Sequence, residues 1–211
     1  MKRICTFLLA FLVCVSLAAC TSPQEPVTAE TMSPASAINT RTGTVVTLGM
    51  PREEVEALLG KGTELDYDAY FEDALRNGEA WEKEGNSETE PRTDIAYGGG
   101  KDLIVAYYEE GLVKALYNNL MWSGQESGPT NWSILHGITY GSSLEEVLEK
   151  YGTTGYVDDW GSAPPAEGEW TMLTYQFDAS GRRVSEWDQT ASTVEIGVHG
   201  KIVEGWAIGA A

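Results

Sequence analysis

The chain is 211 residues long and carries 14 Lys and Arg against 32 Asp and Glu, a formal net charge of −18, with 42% hydrophobic residues. So acidic a surface repels polyanions, which excludes nucleic acid as a partner and a basic patch as the means of holding anionic lipid. The roughly 168 residues from position 44 onward are enough for one or two small domains held together by their own core.

Residues 1–19 begin with Lys2 and Arg3, run through Ile4, Phe7, Leu8, Leu9, Phe11, Leu12 and Val13, and end in Leu17-Ala18-Ala19 before Cys20. A charged start, an apolar run too short to span a bilayer comfortably and small residues before a cut describe a secretory signal. Leu-Ala-Ala-Cys resembles the lipobox of bacterial lipoproteins. The resemblance implies cleavage before Cys20 and attachment of diacylglycerol to its thiol, with palmitate-like chains that each methylene anchors by ~0.8 kcal/mol. The expected location is the extracytoplasmic face of a cell membrane or outer membrane. Loss of Lys2 and Arg3 leaves 12 basic against 32 acidic residues, a formal charge of −20. Cys5, Cys14 and Cys20 are the only cysteines, so the exported domain is expected to fold without a disulfide.

Residues 20–43, with Pro23, Pro26, Pro34 and several Ser, Thr and Ala, lack apolar periodicity and read as a flexible linker without a core. An internal repeat follows. Gly49 to Gly60 (GMPREEVEALLG) aligns without a gap with Gly141 to Gly152 (GSSLEEVLEKYG). In the second copy Ser143 and Glu146 have capping-box spacing, whereas the first has Pro51 in the serine's place, suited to a helix start but unable to cap. Leu144, Val147, Leu148 and Tyr151 form a helical stripe, with Val55, Leu58 and Leu59 as its shorter equivalent. Gly60 and Gly152 suit left-handed C-caps.

Each helix leads into strands and a hairpin. Residues 93–97 and 170–177 read as one strand of each copy. Residues 102–109 and 112–117 are joined by Glu110-Gly111, and 193–198 and 201–208 by His199-Gly200. The fold class is α+β, two tandem helix-plus-antiparallel-sheet repeats in two layers, spanning 44–122 and 132–211. The first carries an acidic insertion at about 67–91. Between Glu64 and Asp94 there are eleven acidic and three basic residues, more often a solvated face than a calcium site, since EF-hand spacing is missing.

The Gly-Met-x-x-x-Glu-Val-x-x-Leu-Leu-Gly pattern followed by a glycine-turned strand pair resembles the small units of the β-lactamase inhibitor proteins and of the outer-membrane assembly lipoprotein family. The resemblance covers about residues 44–117 and 136–208. It implies a non-catalytic protein that grips another envelope or extracellular protein with its sheet and loops. The repeat's residues specify fold, so no contact residue is carried over.

Candidate partner-binding residues are aromatic. All seven Trp lie beyond the signal, at 81, 122, 132, 160, 170, 187 and 206. Trp122 and Trp160 fall in Gly- and Ser-containing loops. Tyr117 and Trp206 take equivalent places in the final strands when Gly111 is aligned with Gly200, where core and contact are both open readings. Catalysis is not expected: the only histidines are His136 and His199, the latter placed in a turn, and neither metal spacing nor a nucleophile elbow is present. No cofactor is expected. The alternatives are β-lactamase-type inhibition and a solute- or glycan-binding lipoprotein.

Overall fold

The computed structural model describes residues 27–65, 93–118, 128–153, 156–157 and 170–210. Cys20, Trp122, Trp160 and the insertion at 67–91 lie outside the described residues. The architecture is mixed α+β, dominated by antiparallel sheet, with two α-helices among the described residues. None of the described helices is long and apolar enough to cross a membrane.

The linker expectation fails from residue 32 onward. Strand β1 (Ser36–Asn39) is buried along its whole length and pairs antiparallel with both β2 (Val45–Thr47) and β7 (Trp132–Ser133). Met32, Ala37 and Ile38 enter the main core. A four-residue strand buried on both faces shows no alternation, so its Ser- and Pro-rich surroundings conceal it.

Helix α1 (Arg52–Leu59) and helix α2 (Leu144–Tyr151) fall within the two aligned segments. On α2 the capping box is complete: Glu146 N–H donates to Ser143 Oγ at 3.1 Å, and Ser143 N–H to Glu146 Oε2 at 2.8 Å. Val147 and Tyr151 are buried, and Leu144 and Leu148 pack against the core. On α1 only Val55 is buried; Leu59 packs against the core, while Leu58 remains 47% exposed. Both helices end on glycine at positive φ, but with extended ψ: 83° and 177° at Gly60, 89° and 163° at Gly152. This is not the left-handed cap anticipated but the mirror-image β region open essentially to glycine alone.

The remaining strands are β3 (Thr63–Glu64), β4 (Thr93–Tyr97), β5 (Ile104–Glu109), β6 (Leu112–Asn118), β8 (Tyr156–Val157), β9 (Trp170–Phe177), β10 (Arg183–Val184), β11 (Ser192–His199) and β12 (Ile202–Gly209). They do not make two separate sheets. β6 pairs with β12, merging them into one nine-stranded antiparallel sheet ordered β10-β9-β11-β12-β6-β5-β4-β3, with β8 also on β9.

The same three backbone bonds fasten each helix start to its hairpin. Gly49 N–H donates to Val113 O at 2.7 Å, Val113 N–H to Met50 O at 2.9 Å, and Arg52 N–H to Gly111 O at 3.0 Å. In the other half Gly141 N–H donates to Val203 O at 2.9 Å, Val203 N–H to Ser142 O at 2.8 Å, and Leu144 N–H to Lys201 O at 2.8 Å. Val113 and Val203 are therefore equivalent, and so are Leu116 and Trp206. The alignment of Gly111 with Gly200 is one residue out, because the turns differ. The first is Glu110-Gly111, both at positive φ as a type I′ turn requires; the second is Gly200-Lys201, where only the glycine has positive φ, the type II′ pattern. His199 is thus the last residue of β11 rather than a turn residue.

One residue of register decides which face a side chain occupies. Ile95, Tyr97, Ile104, Ala106, Tyr108, Val113, Leu116, Val194, Ile196, Val198, Val203, Trp206 and Ile208 join Val55 and Val147 in a single core between sheet and helices. Tyr97 and Tyr108 share a 2.8 Å hydrogen bond inside it, and burial pushes both phenols up.

Candidate binding surface

Both helices pack on one face of the large sheet, and among the described residues no helix packs on the other. Strand alternation sets Ala96 on β4, Ala115 on β6, Gly197 on β11, and Gly205, Ala207 and Gly209 on β12 toward that helix-free face. Gly197 and Gly205 are direct cross-strand partners, and Ala207 pairs with Tyr117. The middle of this face is therefore floored by small residues at the junction of the two hairpins, Gly197 and Gly205 buried and Ala207 half-buried.

Val105 and Tyr117 form a small second core on this face, against which Leu65, Ala96, Tyr107, Met172 and Ala207 pack. Tyr117 is only 4% exposed, and its Oη donates to Oδ1 of the fully buried Asp94, reaching over β5. At the β9 end, Gln176 clasps the backbone of Asp188 through two bonds: its Nε2 donates to the carbonyl at 3.0 Å, and its Oε1 accepts the N–H at 2.9 Å. This anchors the loop that carries Trp187, 54% exposed.

Each hairpin also bears an acid-base pair at its bulge, with the glutamate on the first strand in one and on the second strand in the other. In the first, Lys114 Nζ lies 3.5 Å from Glu109 Oε2; in the second, His199 Nδ1 lies 3.0 Å from Glu204 Oε1. These partly exposed pairs contribute at most about 1 kcal/mol each, and their effect is to orient charge rather than to hold the fold. With Glu195 on the same face, the surface is predominantly acidic.

A different cluster ties the halves together away from this face. Asp102 accepts hydrogen bonds from Asn39 Nδ2 at 3.0 Å, Asn131 Nδ2 at 2.8 Å and Arg41 Nη2 at 2.6 Å, while its carbonyl accepts Trp132 Nε1 at 2.8 Å. The Arg41 hydrogen bond, followed by those of Asn131 and Asn39, holds this carboxyl well below the usual range. It joins the β4–β5 connection to both the β1 end and the β7 start.

The aromatic candidates fare unequally. Trp206 is fully buried on the helix side, and Tyr117 is buried against Asp94; neither offers contact area, which corrects their assignment as partner-binding residues. Trp206 Nε1 meets no acceptor among the described residues, and its cross-strand partner Asn118 leaves Oδ1 similarly unmet. Trp122, Trp160 and the lipid-attachment residue Cys20 lie outside the described residues. Trp187 and the small-residue floor were missed by sequence reasoning, although the i, i+2 spacing of Gly205, Ala207 and Gly209 marks a strand face without bulk. Among the described residues no cluster of His, Cys, Asp and Glu is arranged to hold a metal. Comparison of the chain with protein-family models, curated proteins and solved structures finds no match.

Proposed function

We propose that this protein is a non-catalytic binding module, held outside the cytoplasm by acyl chains on Cys20, that grips another envelope or extracellular protein with the helix-free face of its sheet. We also read its two halves as tandem copies of one helix-and-hairpin unit, meeting at an approximate two-fold axis between Tyr117 and Ala207. The observation that carries the binding reading is the half-exposed apolar strip of Ala96, Tyr107, Met172 and Ala207, packed around Val105 and Tyr117 on that face. Half-exposed apolar side chains held rigidly on a sheet supply contact area at little entropic cost. Glu109, Glu195 and Glu204, on a chain of net charge −18, favour a partner that presents basic residues.

The test is to fill the floor. Ala207→Arg is expected to abolish capture of the partner from envelope extract, while Leu58→Arg on the outer surface of α1 leaves it intact. Equal capture by both variants rejects this face as the binding surface.

A further inference from the structure

A cavity of about 570 Å3 opens on the opposite layer, between the amino-terminal segment, the Leu135–Gly137 turn, the end of α2 and the β9–β10 turn. That volume suits a small organic ligand. One wall is a series of rings: His136 meets Tyr151 edge-on at 5.3 Å and 85°, and Tyr151 meets Phe177 edge-on at 6.2 Å and 82°. Met32 and Pro34 close the apolar side.

The polar side is built with unusual care. His136 has φ 65°, rare for a residue with a side chain. It is pinned from both directions, its N–H donating to Ala29 O at 2.7 Å and its carbonyl accepting Lys150 Nζ at 2.8 Å. Strain held in this way by its surroundings collects at ligand sites. Arg183 adds a second cation. Its Nη1 donates to Tyr151 O, and its guanidinium lies 5.0 Å above the Tyr175 ring. Gly152 leaves room for it, since a Cβ there would come within 2.5 Å of Arg183 Nη1 and push the guanidinium aside.

A carboxylate already marks the polar end. Glu30, on the amino-terminal segment, places Oε1 2.7 Å from Lys150 Nζ and Oε2 3.6 Å from His136 Nδ1, yet its side chain is 60% exposed. The geometry points to a binding site for a small carboxylate with a ring-sized apolar body. The ligand's carboxylate replaces Glu30 at Lys150 and His136, and its ring lies along Tyr151 and Phe177. Glu30 is then an internal competitor. A free aromatic acid and a peptide carboxyl terminus ending in an aromatic residue share this chemistry. The site is separate from the helix-free face and does not depend on that reading.

The test is calorimetric titration of the intact chain with 3-phenylpropionate, its neutral amide, and the dipeptide Gly-Phe. The acid is expected to bind about tenfold or more tightly than the amide, and Lys150→Met to cost a similar factor. Glu30→Gln is expected to tighten acid binding about two- to fivefold by removing the competitor, the reverse of what loss of a purely structural ion pair would give. Stronger binding of Gly-Phe than of phenylpropionate assigns the site to peptide termini, and the reverse order assigns it to free acids. Equal binding of acid and amide, no gain in Glu30→Gln, or no binding to either protein overturns the proposal.

Discussion

The two hairpins share their bulge and their fastening to a helix but differ in turn type and in side chains. Each bulges at the same place, between Tyr107 and Tyr108 in one and between Gly197 and Val198 in the other, and each is fastened to its helix by the same three bonds. At the helix-side position before the junction the first has Leu116 and the second Trp206; on the helix-free side the first has Tyr117 and the second Ala207. Bulk has been moved from one face to the other. The first half therefore puts a buried aromatic ring on the helix-free face, where the second half has only a methyl group.

The largest effect expected from breaking this arrangement is at Trp206. Trp206→Ala removes the bulkier core residue and is expected to cost about 3–5 kcal/mol, against about 2–5 kcal/mol for Leu116→Ala, both read from urea unfolding. Next comes Tyr117→Phe, which deletes a donor to the buried Asp94 carboxylate. About 1–3 kcal/mol is expected to be lost, although nothing is removed from the helix-side core.

The helix starts offer a smaller contrast. Ser143→Ala dismantles the capping box and is expected to cost about 1 kcal/mol. Pro51→Ser installs the same Ser-x-x-Glu spacing with Glu54 on α1. Because it also gives the unfolded chain back the freedom proline had removed, its net gain is expected to be below about 1 kcal/mol. The pair of variants, compared by urea midpoint, measures how far one half compensates for lacking a cap.

The smallest effect is acid-dependent and separates the two strand connections. Asp102 ties distant segments together, and its carboxyl is held below the usual range chiefly by Arg41; Asp178 is lowered to about 2, chiefly by the Ser180 side chain within its own turn. A depressed carboxyl stabilises the fold above its unfolded value, near pH 4, and that contribution fades as pH falls through about 4 toward 2. Asp102→Asn is expected to flatten the decline of the urea midpoint between pH 5 and pH 2. Asp178→Asn should flatten it too but lower the neutral-pH midpoint less, because its bonds are local.

Much of this contrast was legible in the sequence, and the rest was hidden for identifiable reasons. The helices follow from Leu144, Val147, Leu148 and Tyr151 at helical spacing, and the hairpins from glycine between β-prone runs. Register was lost because glycine stands second in one turn and first in the other, so matching glycines matched the wrong faces and paired Tyr117 with Trp206. β1 escaped notice because Ser36–Asn39 is too short and too uniformly buried to alternate. The β6–β12 junction leaves no local mark, since pairing between distant strands depends on the whole sheet. The cavity beside Lys150 is likewise built from four separated segments, and only the positive φ of His136 distinguishes it.

The most direct measurement is photocrosslinking in producing cells, with a benzophenone side chain placed at position 207 on the small-residue floor or at position 58 on the outside of α1. The expected result is a discrete protein adduct from position 207 and none from position 58. Adducts of the same protein in equal yield from both positions, or from position 58 alone, would contradict it.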